Sequence, residues 1–129
     1  MTEHIVDTNI LLFFLQGDRR LSRGVLSCIE SVTNRSLVSM ASLWEISIKS
    51  SLGKLRFDYA SDPELPERLK DAGFALLEIR WETIVRAGEL PWLHRDPFDR
   101  IILAECMLHN IPVLSTDRRF DAYGVHRIE

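Results

Sequence analysis

The feature that most constrains the fold is an alternation. Short apolar segments recur along the chain, separated by longer stretches of helical period. His4-Ile5-Val6 reads as a buried strand ending at Asp7, and Leu37–Ala41, Phe74–Ile79, Pro112–Ser115 and Val125–Ile128 read as four more. Between them, Asn9–Gln16 predicts a helix closed by the turn-like Gly17-Asp18. Leu21–Thr33 has apolar residues at Leu21, Val25, Cys28, Ile29 and Val32, a helical spacing. Ser42 predicts the cap of a helix that stops at Gly53, with Glu45 at the reciprocal capping-box position. Asp58–Pro66 predicts a loop, Glu67–Ala72 a short helix and Trp81–Leu90 a longer one. Asp96-Pro97 opens a last helix running to His109. Strands separated by helices call for a parallel sheet covered on both faces. The expected class is α/β, a three-layer α/β/α arrangement around a five-stranded parallel sheet, in a single domain spanning 1–129.

The composition suits that class. Apolar residues make up 46% of the 129 residues, enough for a sizeable core and too many for a disordered chain. The longest apolar run, Ile10 to Leu15, is far too short to span a membrane. The first residues lack a basic leader and a small-residue cleavage site, so a cytoplasmic location is expected. Cys28 and Cys106 fall in helix-like segments without ligand spacing and are expected to be reduced core residues. A net charge of −3 weighs mildly against a nucleic-acid binder, but 13 of the 16 basic residues are arginine, whose planar fork suits phosphate.

The acids supply the functional signal. In an open parallel sheet, ligands bind beyond the carboxyl ends of the strands. Asp7 follows the first strand directly, and Asp117 follows the fourth after one residue. Glu45 lies in the first turn of the helix after the second strand. Asp99 lies in the first turn of the helix leading into the fourth strand, whose start faces the same edge. Each alone has an ordinary structural role open to it: Asp7 as a helix cap, Glu45 as the capping-box acid or a partner of Lys49, Asp99 as a helix-start acid, Asp117 as a turn residue. Their convergence on one edge favours a shared site.

Clustered carboxylates repel one another and hold protons unless a cation resolves the charge. Mg²⁺ or Mn²⁺, with its preference for oxygen ligands, is the expected cation. Zinc is disfavoured because His4, His94, His109 and His126 show no ligand spacing with the acids and read as structural or surface residues. Arg100, Lys49, Arg95 and Arg118 lie close in sequence to the acids and are the expected contacts to an RNA backbone, Arg100 and Lys49 foremost.

Four stretches carry a resemblance to a known family: Val6-Asp7-Thr8-Asn9 with the apolar run after it; Ser42-Leu43-Trp44-Glu45-Ile46 through Lys49 to Gly53-Lys54-Leu55; His94-Arg95-Asp96-Pro97-Phe98-Asp99-Arg100 with Ile102 and Ala104; and Ser115-Thr116-Asp117 with Phe120 and Tyr123. Together they span nearly the whole chain, which resembles the PIN-domain family and, within it, the VapC-type toxins of type II toxin–antitoxin pairs. The resemblance implies a five-stranded parallel sheet, Mg²⁺ or Mn²⁺ as cofactor, cleavage of RNA, a homodimer and a small antitoxin partner. The family's four acids map onto Asp7, Glu45, Asp99 and Asp117. Its small hydroxyl or amide residues near the metal map onto Thr8, Asn9 and Thr116. Asp96 either substitutes for or assists Asp99, and is the better helix cap of the two. No departure appears among the four acids.

The expected chemistry is hydrolysis of a phosphodiester by metal-activated water. Asp7, Asp99 and Asp117 hold one or two ions, and Glu45 completes the shell or orients the water as base. Thr8 and Thr116 would bond the acids or ligand waters. An aspartyl-phosphate phosphatase with Asp7 as nucleophile is the rival enzyme, but it wants a late lysine, and none follows Lys70. A non-catalytic RNA- or protein-binding module is the rival from another class. Trp81, Trp92 and the Ile10–Leu15 run serve either as an interface or as core.

Overall fold

Five parallel strands form one sheet in the order β3-β2-β1-β4-β5. They are β1 (Thr2–Val6), β2 (Asn34–Ser39), β3 (Ala75–Leu77), β4 (Val113–Leu114) and β5 (Arg127–Ile128). Six helices connect them: α1 (Thr8–Gln16), α2 (Arg23–Glu30), α3 (Met40–Ser51), α4 (Leu65–Asp71), α5 (Trp81–Glu89) and α6 (Pro97–His109). A 3-10 turn, Arg118–Tyr123, sits between β4 and β5. The computed structural model describes residues 2–129.

The pleat sorts the strand residues by parity into two cores. Ile5, Leu37 and Val113 share one core with Ile102, Leu103 and Cys106 of α6 and with Phe120. Their neighbours Val6, Val38 and Leu114 pack on the other face against α1, Val25 of α2, Ile46 of α3 and Leu65 and Leu69 of α4. The register places Ile5 beside both Leu37 and Val113, so β1 is the central strand and buried on both faces. This is the three-layer α/β architecture that the alternation predicts. From β1 the chain steps outward through β2 to β3, then crosses back to β4 and β5. The direction of winding thus reverses between β1 and β4, which makes their carboxyl ends the topological switch point where such sheets open a crevice. Asp7 and Asp117 lie just beyond those two ends.

Some boundaries differ from expectation. β2 begins at Asn34 rather than Leu37, because the ladder with β1 runs from Thr2↔Asn34 and includes polar residues that carry no apolar signal. It ends at Ser39, whose hydroxyl accepts the Ala41 amide at 3.1 Å and caps α3. Ser42 is therefore not the cap. It is buried inside α3, where its Oγ accepts a hydrogen bond from Thr8 Oγ1 at 2.8 Å. The capping-box role of Glu45 falls with it. α2 is shorter than predicted, held at its start by the Ser22 hydroxyl, and Val32 lies beyond its end with 96% exposure. The 3-10 turn carries no helical period, so nothing in the sequence predicts it.

Ile10, Leu11 and Leu12 are buried and Phe13 to Leu15 half-buried, so that run is core, whereas Trp81 and Trp92 are exposed. Cys106 is buried, Cys28 half-buried, and neither forms a disulfide. Among the described residues no helix is long and apolar enough to cross a membrane.

Candidate active site

Asp7, Glu45, Asp99 and Asp117, from four distant segments, line one small polar cleft of about 110 Å³. Asp7 caps α1: its Oδ1 accepts the Thr8 amide at 2.8 Å, and its Oδ2 accepts the Ser115 hydroxyl at 2.6 Å. Ser115 Oγ in turn accepts the Asp117 amide at 2.9 Å, so one buried serine ties the ends of β1 and β4 together. Glu45 is 5% exposed on the inner face of α3. Lys49, one turn on, donates to its Oε2, while its Oε1 is buried with no hydrogen-bond partner. Asp96 caps α6, its Oδ1 accepting the amides of Phe98 at 2.8 Å and Asp99 at 3.2 Å. That leaves the Asp99 carboxylate, 9% exposed, to the cleft, although Asp96 lines it too. Asn9 and Thr116 are exposed at its rim.

The electrostatics follow from crowding in a dry place. Burial, then repulsion from Asp7, Asp96, Glu45 and Asp117, pushes the Asp99 carboxyl up to about 8. Burial raises Asp7 to about 6; the bonds from Ser115 and Thr8 offset part of this, and repulsion from Glu45 and Asp117 adds to it. At Asp117 burial pulls upward as well, but Arg119 outweighs it and holds the carboxyl below its ordinary value. Arg119 grips Asp117 through its fork, Nη2 to Oδ2 at 2.8 Å and Nε to Oδ1 at 3.0 Å.

Residues 4–125 match the PIN domain. The chain belongs to the PIN domain family. No curated protein matches its sequence, and the likeness to solved structures is one of fold. A chain of the VapBC2 complex from Rickettsia felis, bound to a DNA fragment from its promoter, superposes with a TM-score of 0.71 at 14% identity, covering 98% of both chains. A chain of a toxin–antitoxin complex from Klebsiella pneumoniae gives 0.66 at 19% identity, covering 98% of this chain and 96% of that one. The PIN domain endonuclease Utp24 gives 0.54 at 22% identity, covering 94% of this chain and 75% of that one.

Around the acids, this PIN domain departs from several sequence expectations. Arg100 does not face the cleft. It is 3% exposed, and its guanidinium donates to four main-chain carbonyls, of Ala87, Leu90, Pro91 and His94, at 2.6–3.0 Å. Trp92 covers it, with the ring centroid 3.6 Å from Cζ. Arg95 is exposed and lines a neighbouring apolar groove instead of the cleft, and Arg118 is exposed outside it. The cations that do line the cleft are Lys49 and Arg119. The Thr8 hydroxyl donates its hydrogen bond to Ser42 Oγ rather than to an acid. Two members escaped sequence reasoning. Ser115 sits within a quoted motif, but nothing marks its hydroxyl as inward. His94 shows no ligand spacing in the sequence, yet its Nε2 lies 2.9 Å from Asp99 Oδ2 and 3.4 Å from Asp117 Oδ2.

Proposed function

We propose that this PIN domain is a Mg²⁺- or Mn²⁺-dependent endoribonuclease acting as the VapC-type toxin of a toxin–antitoxin pair. The observation that carries the reading is the meeting of four carboxylates at the switch-point cleft. The donor set fits a hard divalent cation: every acid offers oxygen, Glu45 Oε1 is buried and unpartnered, and burial together with four neighbouring carboxylates raises the Asp99 carboxyl, a crowding that a cation would relieve. Asp7, Asp99 and Asp117 would hold the ion, with Glu45 beside them. What the ion supplies when bound is neutralisation of the phosphate charge, polarisation of a phosphodiester oxygen and a more acidic water. The chain itself fixes the geometry. Ser115 and the Thr8 amide orient Asp7, Arg119 orients Asp117, and Lys49 holds Oε2 of Glu45, so that Oε1 would be left either to complete the ion's shell or to orient the attacking water. Asn9, Thr116 and Arg119, which line the cleft, would meet the RNA backbone.

Asp7→Asn keeps the shape and removes the charge. Purified free of any partner and given Mn²⁺, it is expected to cleave RNA more than about 100-fold slower than the parent, beyond the loss usual for an outer-shell partner. Cleavage by the parent should stop with a chelator. Parent-like cleavage by Asp7→Asn would sink the reading, and a parent that neither binds Mn²⁺ specifically nor cleaves RNA would favour a binding module.

The partners follow from the same reading. The resemblance of the fold to chains of toxin–antitoxin complexes supports a small antitoxin. A groove of about 610 Å³ between α3, α5 and α6 is almost wholly apolar, and the exposed Trp44, Ile84 and Trp92 line it. That face is read as the homodimer contact. Ile84→Glu should convert the dimer to a monomer in light scattering while leaving the circular dichroism of the folded chain unchanged. A parent that is monomeric at the concentrations used would remove the dimer from the proposal.

A further inference from the structure

His94 is the buried group at this site whose role the four acids do not explain. Its side chain is fully buried, and it lies on the segment between α5 and α6. Every part of it except Nε2 has a partner. Its amide donates to Tyr123 Oη at 2.8 Å, and its carbonyl accepts from Arg100 Nη1 at 3.0 Å. Its ring lies against Phe120, with centroids 6.1 Å apart. The Asp96 amide donates to Nδ1 at 3.3 Å. Nε2 is left between the Oδ2 atoms of Asp99 and Asp117, aligned squarely with neither.

Two roles suit a histidine in that place. Nε2 could ligate an ion together with Asp99 and Asp117, since one ligand atom from each of the three lies within 4.8 Å of the others. Alternatively, it could donate a proton to both carboxylates. The Asp96 amide decides between them. A ligand Nε2 needs its lone pair, which sends the ring proton to Nδ1, where it would point at the Asp96 N–H. A donor Nε2–H leaves the Nδ1 lone pair to accept that N–H, as the geometry requires. We propose that His94 is a positioning residue whose Nε2–H, shared between the Oδ2 atoms of Asp99 and Asp117, holds the two carboxylates side by side and keeps the donor set all-oxygen. This rests on the metal-site reading above for its consequence, though not for its geometry. The consequence is selection of Mg²⁺ or Mn²⁺ over zinc, because the one available nitrogen donor is turned to hydrogen bonding.

Two measurements test it. The first needs no metal: nitrogen NMR of the ¹⁵N-histidine-labelled parent, with the His94 signals assigned by their loss in His94→Gln. The expected ring is protonated at Nε2 and bare at Nδ1. A proton on Nδ1, alone or on both nitrogens, would overturn the proposal. The second is Mn²⁺ titration by calorimetry, with thermal melts as the folding control. His94→Asn can still accept the Asp96 amide but lacks a donor at the Nε2 position, and should bind Mn²⁺ about 10-fold or more weakly. His94→Gln carries an amide N–H close to the Nε2 position and should recover most of that loss. Equal binding by all three proteins would overturn the role, as would a directly bonded imidazole nitrogen in pulsed EPR of the Mn²⁺-loaded parent. A parent that binds no Mn²⁺ at all would refute the metal-site reading instead, while the NMR result still decides what His94 does.

Discussion

Replacing Arg100 by alanine should destabilise the fold by about 3–5 kcal/mol, read as a lower urea midpoint at an unchanged slope. The reason is where the guanidinium ends. Two of its acceptors, Ala87 and Leu90, are carbonyls at the end of α5, the negative pole of that helix, and the other two, Pro91 and His94, belong to the segment entering α6. One buried cation therefore closes α5 and holds the next turn of chain against α6. Hydrogen bonds from a charged donor are worth about 1.5–3 kcal/mol each. Four from one group do not add in full, and water reaches some of the freed carbonyls, which sets the range below the simple sum. Lysine should recover little, because a single ammonium cannot match a planar fork with four acceptors. A loss under about 1 kcal/mol for Arg100→Ala would show that the carbonyls find other partners. The same variant should disturb the cleft, since the His94 carbonyl is one of the four acceptors.

Arg100 also shows why part of the site was illegible in the sequence. Its neighbour Asp99 faces the cleft, but adjacency in sequence is not adjacency in space. On an α-helix, consecutive side chains point about 100° apart, so the residue beside a site acid is turned away from it. Lys49 obeys the opposite rule: four residues from Glu45, it shares its face and pairs with it, the structural role open to it beside the expected contact to RNA. Asp7, Asp99 and Asp117 were legible because strand ends and helix starts are encoded locally, and a parallel sheet sends both to one edge; Glu45, expected in a first turn, instead lies in the second turn of α3, which starts at Met40. His94 was not, because it stands on irregular chain whose course is set by Arg100 and Tyr123, contacts 6 and 29 residues away. Ser39 and Ser42 are equally good caps by type. Only the β2–β3 ladder, whose last pair is Ser39↔Leu77 just before the chain turns into α3, distinguishes them. The layer arrangement survived these local errors because it depends on the parity of Ile5 and Val6, Leu37 and Val38, Val113 and Leu114, which a shift in an element's end does not alter.

The second large effect concerns Glu105, a buried acid outside the cleft. It lies in the middle of α6, 1% exposed, and neither carboxylate oxygen has a well-formed hydrogen bond. Burial pushes its carboxyl up to about 7, with the nearby Ser39 hydroxyl offsetting only part of the rise. In the unfolded chain the group titrates near 4.5. Between those two values the folded state binds the proton that the unfolded state has released, so stability must fall as pH rises. The contribution is fully present below about pH 4.5 and is lost as pH passes through about 7. At about 1.4 kcal/mol per pH unit of displacement, the loss comes to roughly 3 kcal/mol. Asp7 and Asp99, raised for their own reasons, tilt the parent in the same direction, so the parent's slope alone does not isolate Glu105. Comparison with Glu105→Gln does. The amide matches the protonated acid in shape and cannot ionise. Parent and variant should therefore have nearly equal urea midpoints at pH 4.5, and the variant should be the more stable by up to about 3 kcal/mol at pH 8. A difference that stays constant across that range would mean that Glu105 titrates alike in both states and that its burial is relieved by a partner. A difference that opens with pH would show a carboxylic acid carried inside α6 at a net cost to the fold in neutral solution.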